Sequence, residues 1–249
     1  MSSKQRKLSI SGPSTRKPLQ SIRRASLDEG VALIVFCVAI VFSKSTVPTI
    51  SKSSASCESF LSLGKDYKNV DDNLWYTLDV CLHRSTDAHK PEPGTVLFLH
   101  NRPTAMVDEF ITRITNITAC NFGGTRPIIL NGKYFHRADI QQDYGVFVQQ
   151  QKTTLLEQGV MVVRNLEDIP AKAAQAFHTI CDTEEPLVEK AIIYLSLDTS
   201  KTVSRMDFGE RSATAEAEHL LQEMWKNDLR PEFLNPLIVR LTENVYRIG

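Results

Sequence analysis

Chemistry on phosphates needs backbone amides that can wrap an anion, a lysine that reaches it, and a strand that delivers both to one edge of a sheet. The chain supplies such a strand. Within Gly94-Thr-Val-Leu-Phe-Leu-His100, residues Thr95 to Leu99 are β-branched, aliphatic or aromatic and uncharged, the pattern of a strand buried on both faces of a parallel sheet. Nucleotide-hydrolysing P-loop domains continue such a strand into G-x-x-x-x-G-K-[ST]. Here the turn is Asn101-Arg102-Pro103-Thr104, with neither glycine nor lysine. A second apolar run, Val160-Met161-Val162-Val163, ends in Arg164-Asn165, where a magnesium-holding strand would carry acids. Glu167 and Asp168 come later, before Pro170, and read as solvated acids at a helix start. The expectation is a P-loop-like frame without nucleotide or other cofactor, so a regulator of another ATPase is weighed against an enzyme.

Other chemistries find less support. A Ser/His/Asp hydrolase needs its nucleophile on an elbow such as G-x-S-x-G, and no such pattern occurs. His83, His89 and His136 sit among polar residues, while His100 ends the central strand, where catalytic groups of α/β folds can lie; it reads as a structural histidine. No C-x-x-C, H-x-H or H-E-x-x-H spacing is present to hold a metal.

The elements that must position these residues alternate in type. After the strand Thr95–Leu99, residues 104 to 118 place Met106, Val107, Phe110, Ile111, Ile114 and Ile117 at helical spacing, with Thr104 as a cap. A strand at 127–130, a helix from about Asp139 to Gln158 closed by Gly159, the strand 160–163, a helix 171–180 and a strand 191–197 follow. Thr199 to Arg211 reads as a polar loop. Ala213 to Trp225 is expected to be helical, Pro231 to Arg240 a short helix that Pro236 kinks or delays, and Asn244 to Ile248 a brief strand. Such alternation predicts an α/β domain with a parallel sheet of about five strands and helices on both faces, spanning 94–249.

Upstream, residues 1–29 are rich in Ser, Lys, Arg and Pro and read as a disordered, basic, cytosolic tail. Its Arg23-Arg24-Ala25-Ser26 has the shape of a kinase site, but reads as charge alone. Residues 30–50 carry a single charge, Lys44, and read as one transmembrane helix, with a cleaved signal peptide as the competing interpretation. Seven basic residues precede it, which keeps the N-terminus cytosolic and the rest lumenal, a type II arrangement. Residues 51–93 read as a lumenal linker and loop-rich segment in which Leu74 to Leu78 offer a few anchoring residues. The zero net charge hides a split: +5 over residues 1–30, and 20 basic against 27 acidic residues from Glu58 onward. That balance argues against a nucleic-acid partner, which would require a basic footprint. Two features agree with the lumenal side: the sequon Asn116-Ile117-Thr118, which marks the protein as a candidate glycoprotein, and Cys57, Cys81, Cys120 and Cys181, which allow three pairings.

From Thr95 onward the chain resembles the lumenal domain of the torsin-interacting proteins, the family of lamina-associated polypeptide 1 and its endoplasmic-reticulum relative. The matching residues are Val162-Val163-Arg164-Asn165-Leu166-Glu167-Asp168-Ile169-Pro170, Ile180-Cys181-Asp182 and Leu234-Asn235-Pro236-Leu237-Ile238-Val239-Arg240-Leu241. The resemblance implies a degenerate AAA+-like fold that takes no nucleotide or small-molecule substrate. Its partner would be an ATP-loaded torsin-family AAA+ ATPase, activated by an arginine finger given in trans. It implies Arg240 as that finger, with Leu234, Asn235 and Leu237 at the partner contact, and a place in the endoplasmic-reticulum membrane and nuclear envelope. Vertebrate members carry Gly and Trp-Ser ahead of the arginine, where this chain has Pro236 and Ile238-Val239. The 29-residue tail is far shorter than the family's lamina-binding region. The alternative is a structural membrane tether that leaves a lumenal partner's ATPase unchanged.

Overall fold

Two strands with no solvent-facing residue set the frame. In the computed structural model, β1 (Gly94–His100) and β4 (Ile192–Asp198) are buried along their whole length, as their mostly apolar sequences favour. With β2 (Ile128–Asn131), β3 (Val160–Arg164) and β5 (Val245–Arg247) they form one sheet in the order β2-β3-β4-β1-β5. Every pairing is parallel. The structure describes residues 57–101, 104–202 and 212–248, all within the unit Ser53–Gly249. The tail 1–29 and the span 30–50 lie outside the described residues. Among the described residues no helix is long and apolar enough to cross a membrane.

The strand order dictates which helices cover which face. From β1 the chain crosses toward β2 through α3 (Thr104–Asn121); all later crossovers travel the opposite way across the sheet. Crossovers of one hand that run in opposite directions land on opposite faces. Accordingly Leu97, Leu99, Val163 and Leu195 join one core with Phe147 and Leu155 of α5 (Tyr144–Gln158), Leu220 and Leu221 of α8 (Ala213–Trp225), and Leu234 and Leu237 of α9 (Pro231–Leu241). Val96, Phe98, Val162 and Tyr194 point the other way, into a second core with Phe110, Ile111 and Ile114 of α3. Tyr194 is fully buried there, and its hydroxyl pairs with Thr118 Oγ1 at 2.7 Å.

Several expected boundaries change. Residues 51–93 are not merely loop: α1 (Phe60–Leu63) and α2 (Asp72–Thr86) lie there and complete the second core with Phe60, Leu63, Leu74, Trp75 and Leu78. The helix expected over Asp139–Gln158 is broken into α4 (Ala138–Gln142) and α5, because Asp143 turns to an extended backbone and its carboxylate caps α5 by accepting from Gly145 N at 2.8 Å. The helix expected over 171–180 is two short pieces, α6 (Ala171–Ala174) and α7 (Phe177–Ile180). Pro236 does not delay α9, which starts with Pro231 in its first turn, where a missing N–H costs nothing.

Gly159 ends α5 in the left-handed region, φ 71°, and its N–H donates to Leu155 O at 2.8 Å. A Cβ there would lie 2.2 Å from the Phe122 ring. Gly159→Ala is therefore expected to lower unfolding free energy by about 2–4 kcal/mol from backbone strain and overpacking together. Urea unfolding of the two proteins side by side would reject this if the midpoints coincide.

Candidate functional site

In open parallel sheets, ligands enter the crevice at the carboxyl ends of two neighbouring strands whose helices leave to opposite faces. Here those strands are β1 and β4, whose last residues, His100 and Asp198, stand side by side in register. Both are buried. The acids of this edge are tied to the protein itself. Glu167, in a 3-10 turn after β3, accepts from Asp198 N at 3.0 Å and Asn165 Nδ2 at 2.9 Å, and pairs with Lys201 Nζ at 3.0 Å. Asp198 accepts from the Ser200 amide and hydroxyl at 3.0 and 2.6 Å and faces Lys201 at 3.3 Å. Burial alone would raise the Asp198 carboxyl, but these donors and the Lys201 charge hold it below the ordinary range. Glu167 is thus not the solvated acid expected of it; its side chain is only 4% exposed.

Asn165 carries a left-handed backbone, φ 62°. Such a conformation is costly outside glycine and persists where neighbours enforce it. Asn131 Nδ2 donates to its Oδ1 at 3.0 Å, and Gly132 packs so close that a Cβ would lie 2.1 Å from Asn165 O. Arg164, the residue before it, is salt-bridged to Asp108 Oδ1 at 2.9 Å and so fastens β3 to α3. Both residues that stand where an ATPase strand would end in acids are therefore engaged in holding the sheet edge together.

The second region is the last turn of α9. Leu234, Leu237 and Leu241 are buried and anchor the helix, while Asn235 and Val239 are exposed. Arg240 lies between these faces. Its Nε and Nη2 donate to one oxygen, Asp182 Oδ2, at 3.1 and 2.7 Å, and its Nη1 donates to Pro236 O at 3.3 Å. Its side chain keeps 29% exposure. Asp182 is held in turn, its Oδ1 accepting from Glu184 N and Glu185 N at 2.9 and 3.3 Å. Burial works against the charged Asp182, yet the Arg240 bonds and the two amides outweigh it and lower its pKa. Nearby His178 is pushed down by burial and then by the Arg240 charge, so it adds no second cation at neutral pH.

Of the residues expected at a partner contact, Asn235 alone has surface to offer. It lines an open groove of about 390 Å³ between α8 and α9 with Glu218, His219, Gln222 and Val239. Leu234 and Leu237 lie in the core, so their part is to seat the helix. Nothing in the sequence marks Asp182 as a partner of Arg240, since 58 residues separate the two and no spacing rule links them. Asn116 is exposed on α3, but Thr118 of its sequon is fully buried and bonded to Tyr194. Glycan transfer that needs this hydroxyl must precede folding. None of the three two-bond pairings is completed among these four cysteines: one bond is formed, Cys57–Cys120. Cys81 and Cys181 are free and buried, and burial raises their thiols to about 11 and about 12.

No family model matches this chain. Over 213 residues, 84% of its length, it is 26% identical to the replicase polyprotein 1ab of Alphamesonivirus 1, isolate Aedes harrisoni/Cote d'Ivoire/C79/2004. The chain spans 4% of that polyprotein.

Proposed function

We propose that this chain is a membrane-anchored lumenal cofactor that binds an ATP-loaded AAA+ ATPase of the torsin type and activates its hydrolysis by supplying Arg240 in trans. The domain is read as AAA+-like in fold, with no nucleotide site of its own. The observation that carries this is the placement of Arg240. A core-anchored helix ends in a guanidinium that remains partly exposed and fixed in direction, on the edge that also presents Asn235 and Val239. An arginine so placed can neutralise charge that builds on a transferring phosphoryl group in a neighbouring active site. The resemblance over Leu234 to Leu241 supports the partner class. The Cys57–Cys120 disulfide supports an oxidising compartment, and with it a lumenal domain in the endoplasmic reticulum and nuclear envelope.

The test is the ATPase rate of a torsin-type enzyme with and without the purified chain in detergent. Acceleration supports the activator, and an unchanged rate despite binding makes the chain a tether. Calorimetric titration of the chain with ATP or ADP and magnesium is expected to be flat, because the turn after β1 has no glycine or lysine and the crevice acids already have internal donors. Micromolar affinity would instead overturn the reading without a nucleotide site and return an enzyme to consideration.

A further inference from the structure

We infer that Asp182 is a positioning residue for Arg240, one that turns a mobile side chain into a fixed two-pronged phosphate donor; this rests on the reading of Arg240 as the residue that acts in trans. A guanidinium has five N–H groups in one plane. Among the described residues three are engaged: Nε–H and one Nη2–H on Asp182 Oδ2, and one Nη1–H on Pro236 O. The Nε/Nη2 edge is the side edge of the fork, and the Nη1 hydrogen that lies toward the side chain's own stem is the one able to reach Pro236, a turn back on the same helix. What remains is one hydrogen on Nη1 and one on Nη2. These two form the end-on edge, parallel and spaced to meet two oxygens of one phosphate.

Asp182 can impose this because it is itself immobilised. Its other oxygen takes the Glu184 and Glu185 amides, and its side chain is only 15% exposed. An arginine on a bare helix end would sample many rotamers and lose that freedom on meeting phosphate, whereas one already held meets it with less loss of entropy. Asp182 also discriminates by type of cation, since a lysine in place of Arg240 would spend its single ammonium on the carboxylate and leave no second edge.

The experiment uses the full chain in detergent micelles with an ATP-loaded torsin-type ATPase, comparing wild type, Asp182→Ala, Asp182→Asn, Arg240→Ala and the Asp182→Ala/Arg240→Ala double variant. Loss of alignment should lower the maximal stimulated rate about 10- to 100-fold in both Asp182 variants, with the half-saturating chain concentration unchanged. The double variant should be no worse than Arg240→Ala alone. Asp182→Asn preserves shape and so separates alignment from packing: its amide can still take the backbone N–H groups but then turns an NH₂ toward the guanidinium. On the chain alone, labelled with nitrogen-15 arginine, the Arg240 Nε–H should exchange slowly in wild type and fast in Asp182→Ala. If Arg240→Ala is inert while both Asp182 variants stimulate like wild type or better, the positioning inference fails and the Arg240 reading stands. A fast-exchanging Nε–H in wild type also overturns it. If Arg240→Ala stimulates normally, or wild type does not stimulate, the Arg240 reading fails and takes this inference with it.

Discussion

Arg240→Ala is expected to abolish stimulation of the partner ATPase, a loss of about 10³- to 10⁵-fold if Arg240 acts like arginines supplied in trans to other NTPases. The affinity of the chain for the ATP-loaded partner should change little, because Asn235 and Val239 on the same helix remain exposed and in place. The domain should stay folded, since Leu234, Leu237 and Leu241 hold α9 independently of the guanidinium. Its stability should fall by about 1–3 kcal/mol, because Asp182 loses a charged donor while partly buried. The same pair sets a pH dependence whose sign follows from the lowered Asp182 pKa. Its contribution is present above the unfolded carboxylate range near 4 and is lost as pH falls through the lower folded value. Arg240→Lys should restore the stability and little of the stimulation, since an ammonium lacks the planar fork. Single-turnover hydrolysis with each variant measures this. Full stimulation by Arg240→Ala would move attention to Arg230 and Arg247. Arg230 stands over the Phe233 ring near Glu232, and Arg247 pairs with Glu216 at 2.7 Å.

Removing the Cys57–Cys120 disulfide should cost a large share of the stability. The bond closes a loop with a sequence separation of 63, for which chain entropy gives about 4 kcal/mol as an upper figure and about 2–4 kcal/mol as the usual range. It ties the segment leading into α1 to the last turn of α3, so the docking of Phe60 and Leu63 into the second core depends on it. A Cys57→Ser/Cys120→Ser variant should therefore unfold at lower urea and show faster amide exchange in α1 than in the sheet. Added reductant should lower the wild type to the same midpoint. Cys81 and Cys181 should not replace the lost bond, because both thiols are buried and held protonated. Equal midpoints for wild type and variant would show that the bond does not support the fold.

The strands and their facing were written in the chain itself. Thr95–Leu99 and Val160–Val163 have no charged position to turn outward, the pattern of a sheet covered on both sides. The α3 and α8 periods likewise carried enough apolar residues at helical spacing to be read directly. The α2 helix is legible in the same way, since Leu74, Trp75, Leu78, Cys81, Leu82 and Ser85 repeat at helical spacing and all are buried. The break at Asp143 was harder to see, because a side-chain cap competes with helix continuation on local geometry alone. The electrostatic partners were legible least of all. Glu167 with Lys201, Arg164 with Asp108 and Arg240 with Asp182 are separated by 34, 56 and 58 residues. Periodicity decides which side of an element is apolar, whereas the meeting of two charges depends on how whole elements cross. That is why only a resemblance, and no spacing rule, drew Arg240 out of the sequence, and why its bond to the Asp182 carboxylate appears only once α7 packs against α9.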